Sequence, residues 1–201
     1  MRVGLLLFPD VDLLDVGGPY EVFLTADRLL VRDGGPSTIE LRTLSLDGAR
    51  VTAYGGLELV PSGRLSDAGR MDVFVVPGAV AIDRVREDQR LIEAITATAS
   101  SSDIVASVCT GAFLLAEAGL LEGRPWTTHW EDVDVLAEHT GSERGVHGVP
   151  WVDAGRIVTG GGLSSGIAMA LHLVDRLLGR DLAERTARQI DYAWSPDASA
   201  G

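Results

Sequence analysis

Three short, nearly unbroken apolar runs constrain this chain most: residues 3–8, 71–76 and 104–108. Each has the length of a strand and is too short for a core helix. The first is closed by Pro9-Asp10 and the second by Pro77-Gly78, both turn signals. A strand apolar on both faces needs cover on both sides, which is the condition of a parallel sheet between helices. Helical spacing fills the gaps between strands: residues 20–30, 87–99, 110–118, 131–139, 164–178 with Ser164 as N-cap, and 181–192. Residues 39–46 alternate as a further strand, 51–60 read as a hairpin-like excursion, and 151–158 as two short strands around a turn. The pattern predicts a single-domain α/β sandwich over residues 1–194, with a mostly parallel sheet flanked by helices, and a flexible tail at 195–201.

Composition excludes several classes. The chain has 201 residues, 46% hydrophobic and 23% charged, which excludes a disordered polymer. Seventeen basic residues against 29 acidic ones give a net charge of −12, unfavourable for nucleic acid or an anionic membrane. All 17 basic residues are Arg, and Lys and Asn are absent, which reads as the codon bias of a GC-rich bacterial genome. Lysine Schiff-base chemistry and N-glycosylation are thereby excluded. Cys109 is the one cysteine, so no intrachain disulfide forms. With no signal-peptide pattern and no apolar run near 18 residues, a reducing cytoplasm is the expected compartment.

The strongest chemical signal is Val105-Ala106-Ser107-Val108-Cys109-Thr110-Gly111. A buried strand ends at Cys109 and a helix begins at once, which places the sulfur on a sharp turn at the carboxyl edge of the sheet. The helix N-terminus beside it predicts a depressed thiol pKa, and Gly111 removes bulk behind the turn. An inert core thiol is the competing reading. Asp15, flanked by apolar residues after the first strand, falls on the same edge, with a raised pKa suited to proton donation. A helix cap is its bland alternative. Asp12 reads as an exposed turn residue. The strand end Pro77-Gly78-Ala79 offers backbone N–H groups which, with that of Thr110, could form an oxyanion pocket facing Cys109.

His129, between Trp126 and Trp130, is a secondary candidate as a catalytic base, against a structural role between the two indoles. His139, His147 and His172 share no spacing, and no metal-ligand cluster or cofactor motif is evident. The run Gly160-Gly161-Gly162 lacks the phosphate-loop pattern and reads instead as close backbone approach to the pocket or a partner subunit.

These segments, with residues 118–124, Thr127 to Trp130 and Thr159 to Gly162, together resemble the ThiJ/PfpI superfamily, within the class I glutamine amidotransferase-like fold. The likeness covers nearly the whole chain and leans towards the isonitrile (isocyanide) hydratases. The ligand-sensing domains of AraC-type regulators look similar too. The resemblance implies Cys109 as nucleophile, Asp15 as acid, and Thr110 as holder of nucleophile and intermediate. It implies Gly161 as a pocket glycine. The implied reaction adds water to an isonitrile to give an N-substituted formamide, without cofactor, in a homodimer acting on a small molecule. A small-molecule or redox sensor, and a glyoxalase-, deglycase- or amidase-like activity at Cys109, are the alternatives. The pair Cys109-Thr110 departs from the Cys-His of the protease-like branch. Gly78-Ala79 and Gly166-Ile167-Ala168 depart from the Gly-Gly and Gly-Ile-Asp of hydratase relatives.

Overall fold

The computed structural model describes residues 1–197, so the expected tail at 195–201 falls largely outside the described residues. Its strands are β1 (Arg2–Leu7), β2 (Glu40–Ser45), β3 (Val51–Thr52), β4 (Glu58–Leu59), β5 (Gly63–Arg64), β6 (Met71–Val76), β7 (Ser102–Ser107), β8 (Trp151–Ala154) and β9 (Ile157–Gly160). Seven form one sheet in the order β5-β2-β1-β6-β7-β9-β8, and β3 and β4 make a separate hairpin. Every pairing in the large sheet is parallel except β8 with β9.

The helices are α1 (Leu13–Arg32), α2 (Ile82–Arg86), α3 (Gln89–Ser100), α4 (Gly111–Glu117), α5 (Val133–Thr140), α6 (Ser165–Leu178) and α7 (Arg180–Gln189). From β1 the chain moves outwards to β2, then returns to β6 on the other side of β1. Right-handed crossovers that run in opposite directions put their helices on opposite faces. Accordingly α1, α6 and α7 pack together as one layer, and α2, α3 and α4 as another. Between the layers lies the core, in which Leu5, Leu6, Phe74, Val75, Val105 and Ala106 are wholly buried.

Two local findings differ from the sequence reading. Helix α1 starts at Leu13, not at residue 20. Asp12, expected on an exposed turn, is its N-cap: the carboxylate accepts from the Leu14 N–H at 3.1 Å. Gly17, Gly18 and Pro19 therefore lie inside a helix despite their poor propensities. Packing explains this. A Cβ on Gly18 would stand 3.0 Å from Cγ1 of Ile167, and one on Gly166 would stand 3.4 Å from Cγ of Pro19. The two helices approach closely through these residues, and that burial outweighs intrinsic preference. At Ser164, the expected N-cap of α6, the side chain makes no capping bond and the backbone is already helical.

Register matters for function. Val76 of β6 pairs with Ser107 of β7, and Ser107 pairs with Thr159 of β9. Three strands thus end level, and the loops that follow them meet at one edge. This edge includes the switch between β1 and β6, where open α/β sheets bind ligands.

Candidate active site

Cys109 lies two residues beyond Ser107 on this edge, with φ of 55°, in the left-handed region. That conformation costs a non-glycine residue roughly 1–2 kcal/mol, so the surroundings must impose it. They do so through both of its peptide groups. The Cys109 N–H donates to the carbonyl of Gly161 at 2.7 Å and to that of Gly160 at 3.2 Å. Its carbonyl accepts from the Thr128 hydroxyl at 2.8 Å. Behind the turn, a Cβ on Gly111 would lie 2.3 Å from the Val76 carbonyl oxygen, so only glycine fits. Cys109 itself is 9% exposed, which leaves a narrow opening to its side chain.

Asp15, on the first turn of α1, is 0% exposed. Its Oδ2 accepts from the Gly78 N–H at 2.9 Å, while Oδ1 is buried without a hydrogen-bond partner. Burial pushes this carboxyl up to about 7; the Gly78 bond opposes the shift and the Asp12 charge adds to it. The raised value expected from the apolar flanks is thus present, with burial as its leading cause.

The thiol departs from expectation. Burial, and next the neighbouring Asp15 charge, push Cys109 up to about 12. The N–H groups of Leu163 and Thr110 pull the other way but are outweighed. A depressed thiol pKa was inferred from the helix N-terminus alone. That dipole acts over one turn of a seven-residue helix and cannot offset burial beside a carboxylate. The resting proton sits on sulfur, and Asp15 is the first of the two groups to ionise.

The expected oxyanion pocket also needs correction. The Gly78 N–H is taken by Asp15, and the Ala79 N–H donates to the Thr110 hydroxyl at 2.9 Å. That hydroxyl donates back to the Ala79 carbonyl at 2.9 Å. Gly78 and Ala79 therefore position the acid and the elbow and are not free to receive charge. A Cβ on Gly78 would lie 2.5 Å from the Thr110 Oγ1 and 3.0 Å from Oδ2 of Asp15, so this contact demands glycine. The donors directed at the sulfur are the N–H groups of Thr110 and Leu163. Leu163, Thr128 and Asp12 had no part in the sequence-based site, because backbone donors and buried hydroxyl contacts leave no motif.

Next to the elbow is a cavity of about 440 Å³. Gly161, Leu163 and Thr128, all tied to Cys109, help line it, with His129, Trp130 and Val133 on its wall. Gly161 lies on the cavity wall, with its N–H held by the Pro150 carbonyl. Among the described residues no hydrogen bond joins His129 to Cys109. The other histidines stand apart on ion pairs: His139 with Glu117, His147 with Asp134, and His172 with Asp153. Among the described residues, no group of three or more His, Cys, Asp or Glu is placed to hold a metal ion. Nor, among the described residues, is any helix long and apolar enough to cross a membrane.

A strained cysteine at a strand-to-helix elbow, beside a buried acid from the first helix at the edge of a mostly parallel sheet, marks a class of α/β proteins. The chain belongs to the DJ-1/PfpI family, whose pattern matches residues 1–176. It is similar to the isonitrile hydratase of Pseudomonas putida, 33% identical over 205 aligned positions that cover all of this chain and 82% of that protein. It is also similar to the HTH-type transcriptional regulator GbdR of Pseudomonas aeruginosa, 30% identical over 192 positions. That match takes in 94% of this chain but only 50% of the regulator's length. Among solved structures, a ThiJ/PfpI family protein from Pseudomonas syringae superposes with a TM-score of 0.83 at 23% identity, covering 98% of this chain and 76% of that one. Drosophila melanogaster DJ-1beta superposes at 0.74 with 19% identity, covering 96% of this chain and 98% of that one.

Proposed function

We propose that this protein is a cysteine-dependent hydratase, a hydro-lyase that adds water to an isonitrile and releases an N-substituted formamide. One observation carries the reading: the buried Asp15 carboxyl, with one oxygen fixed by Gly78 and the other unpartnered, stands beside a protonated thiol. The likeness to a named isonitrile hydratase supports the substrate class.

Above pH about 7 the Asp15 carboxylate is ionised and can take the thiol proton as sulfur attacks. The sulfur forms a bond to the terminal isonitrile carbon. Asp15 then delivers the same proton to that carbon, which gives a thioimidate on Cys109. An uncharged substrate suits a site in which a second fixed charge would be costly. Water then releases the formamide and restores the thiol. Thr110 holds the elbow through its hydroxyl and, with Leu163, offers N–H groups to the sulfur. We further propose a cytoplasmic homodimer, acting without a cofactor through the domain at residues 1–194.

The test is formamide release from a simple alkyl isonitrile. Wild type turns over, and Cys109→Ala, still folded by circular dichroism, does not. No release by a folded wild type would reject the reading. The likeness to transcriptional regulators favours one second reading, a small-molecule sensor. A sensor binds ligand tightly with Asp15→Asn in place and releases no product.

A further inference from the structure

We propose that His129 is the base that activates the water of the second half-reaction, with Asp132 as its positioning residue. This rests on the hydratase reading and concerns a step that the Cys109–Asp15 pair leaves unexplained. Adding the thiol to the isonitrile needs one proton moved from sulfur to carbon, and Asp15 suffices for that. Hydrolysing the thioimidate needs a water molecule that loses a proton as it attacks. Asp15 is wholly buried behind Gly78, whereas water has room in the 440 Å³ cavity on the Leu163 side of the elbow. Among the described residues that line this cavity, His129 is the one titratable side chain.

Its placement suits the task. The adjacent Thr128 hydroxyl is bound to the Cys109 carbonyl, so the segment is fixed to the elbow. The imidazole Nδ1 lies 3.4 Å from Oδ2 of Asp132 and 3.7 Å from Oε2 of Glu131. A carboxylate at Nδ1 leaves Nε2 as the nitrogen free to accept a proton. That edge of the ring packs against Gly162, where a Cβ would stand 2.6 Å from Cδ2 and 3.3 Å from Nε2. Leu163, the next residue, supplies an N–H directed at the sulfur. His129 therefore lines the cavity with its Nε2 edge against Gly162, next in sequence to Leu163, and makes no hydrogen bond to the elbow. This geometry fits a base for water better than a base for the thiol.

The step balances. Water oxygen bonds to the thioimidate carbon while Nε2 takes one of its protons. The C=N π electrons move to nitrogen, which receives that proton back from His129. The C–S bond then breaks with its electron pair on sulfur, and the hydroxyl proton passes to that sulfur through Asp15. The product is the formamide, and both side chains return to their starting states.

The experiment mixes excess alkyl isonitrile with the protein, quenches in acid, and follows intact mass and released formamide. Wild type should release formamide with little adduct present. His129→Gln should release it at least 100-fold more slowly, with Cys109 carrying close to one equivalent of substrate mass. Asp132→Asn should lower kcat several-fold with less effect on KM. His129→Gly should regain release when free imidazole is added, a recovery that a purely structural role would not produce. Gly162→Ala, which pushes the ring aside, is the second variant should His129→Gln fail to fold, and it too should accumulate adduct. Release at the wild-type rate by His129→Gln, or lost release with no adduct, overturns the proposal. If wild type gives neither adduct nor formamide, the hydratase reading fails first and the His129 role falls with it.

Discussion

Replacing Asp15 by Asn should stabilise the fold, by an amount that depends on pH. The carboxyl is held at about 7 in the folded chain, against 3.8 for an unconstrained aspartate. Below pH 3.8 it is protonated in both states and its titration contributes nothing. Between the two values the folded state keeps a proton that the unfolded state has lost, so stability falls as pH rises. Above about 7 both states are ionised and the full cost, about 4 kcal/mol, is carried. Asparagine keeps an acceptor for the Gly78 N–H and cannot ionise. The advantage of Asp15→Asn over wild type should therefore grow by about 2–3 kcal/mol between pH 5 and pH 8. Urea unfolding of both proteins at the two pH values measures this as a difference of differences, in which pH-independent effects of the amide cancel. An advantage that is constant within about 0.5 kcal/mol, or that shrinks as pH rises, would refute the account of a carboxyl desolvated at the cost of the fold.

Three further outcomes follow from the same geometry. Isonitrile turnover, kcat/KM, should rise with pH through about 7, because Asp15 must be ionised to accept the thiol proton; a profile flat from pH 5 to 9 would contradict this. Alkylation of Cys109 by iodoacetamide at pH 7.5 should be slow, since the thiol is pushed up to about 12, and faster in Asp15→Asn, where the opposing charge is gone; mass spectrometry of timed samples reads both rates. Gly111→Ala, whose Cβ would meet the Val76 carbonyl at 2.3 Å, should cost about 3 kcal/mol in urea unfolding, and a loss below about 1 kcal/mol would show that the elbow can yield.

The apolar runs at 3–8, 71–76 and 104–108 were readable as strands because a two-sided buried strand has no other economical composition. They correspond to β1, β6 and β7 within two residues at each end. By contrast β5, Gly63–Arg64, is two residues long and carries no period, so no pattern marks it. The start of α1 was obscured by Gly17-Gly18-Pro19, whose breaker character is overruled by contact with α6. In the site, Cys109 was legible because strand, nucleophile and helix are contiguous in sequence. The direction of its pKa was not, since burial and the charge of Asp15 arise only when segments nearly a hundred residues apart meet. The oxyanion assignment failed for a similar reason. It counted the amides of Gly78 and Ala79 as free, and tertiary contacts had already engaged them.

The excursion between β7 and β9 has a further consequence. Trp126 bridges to Gly145 through the Trp126 N–H to the Arg144 carbonyl and the Val146 N–H to the Trp126 carbonyl. Thr127 and Thr128 fasten the start of the excursion to Thr159 and Cys109. Between those knots, residues 129–144 form a loop-and-helix flap that contributes His129, Trp130 and Val133 to the cavity wall and no residue to the sheet. Beyond His129 and Asp132, such a flap is a replaceable cassette. Its outer part can change length and side chains while the strand ends beneath keep their register. A lineage built on this frame could therefore exchange the molecule it accommodates and leave the strained cysteine and its acid untouched.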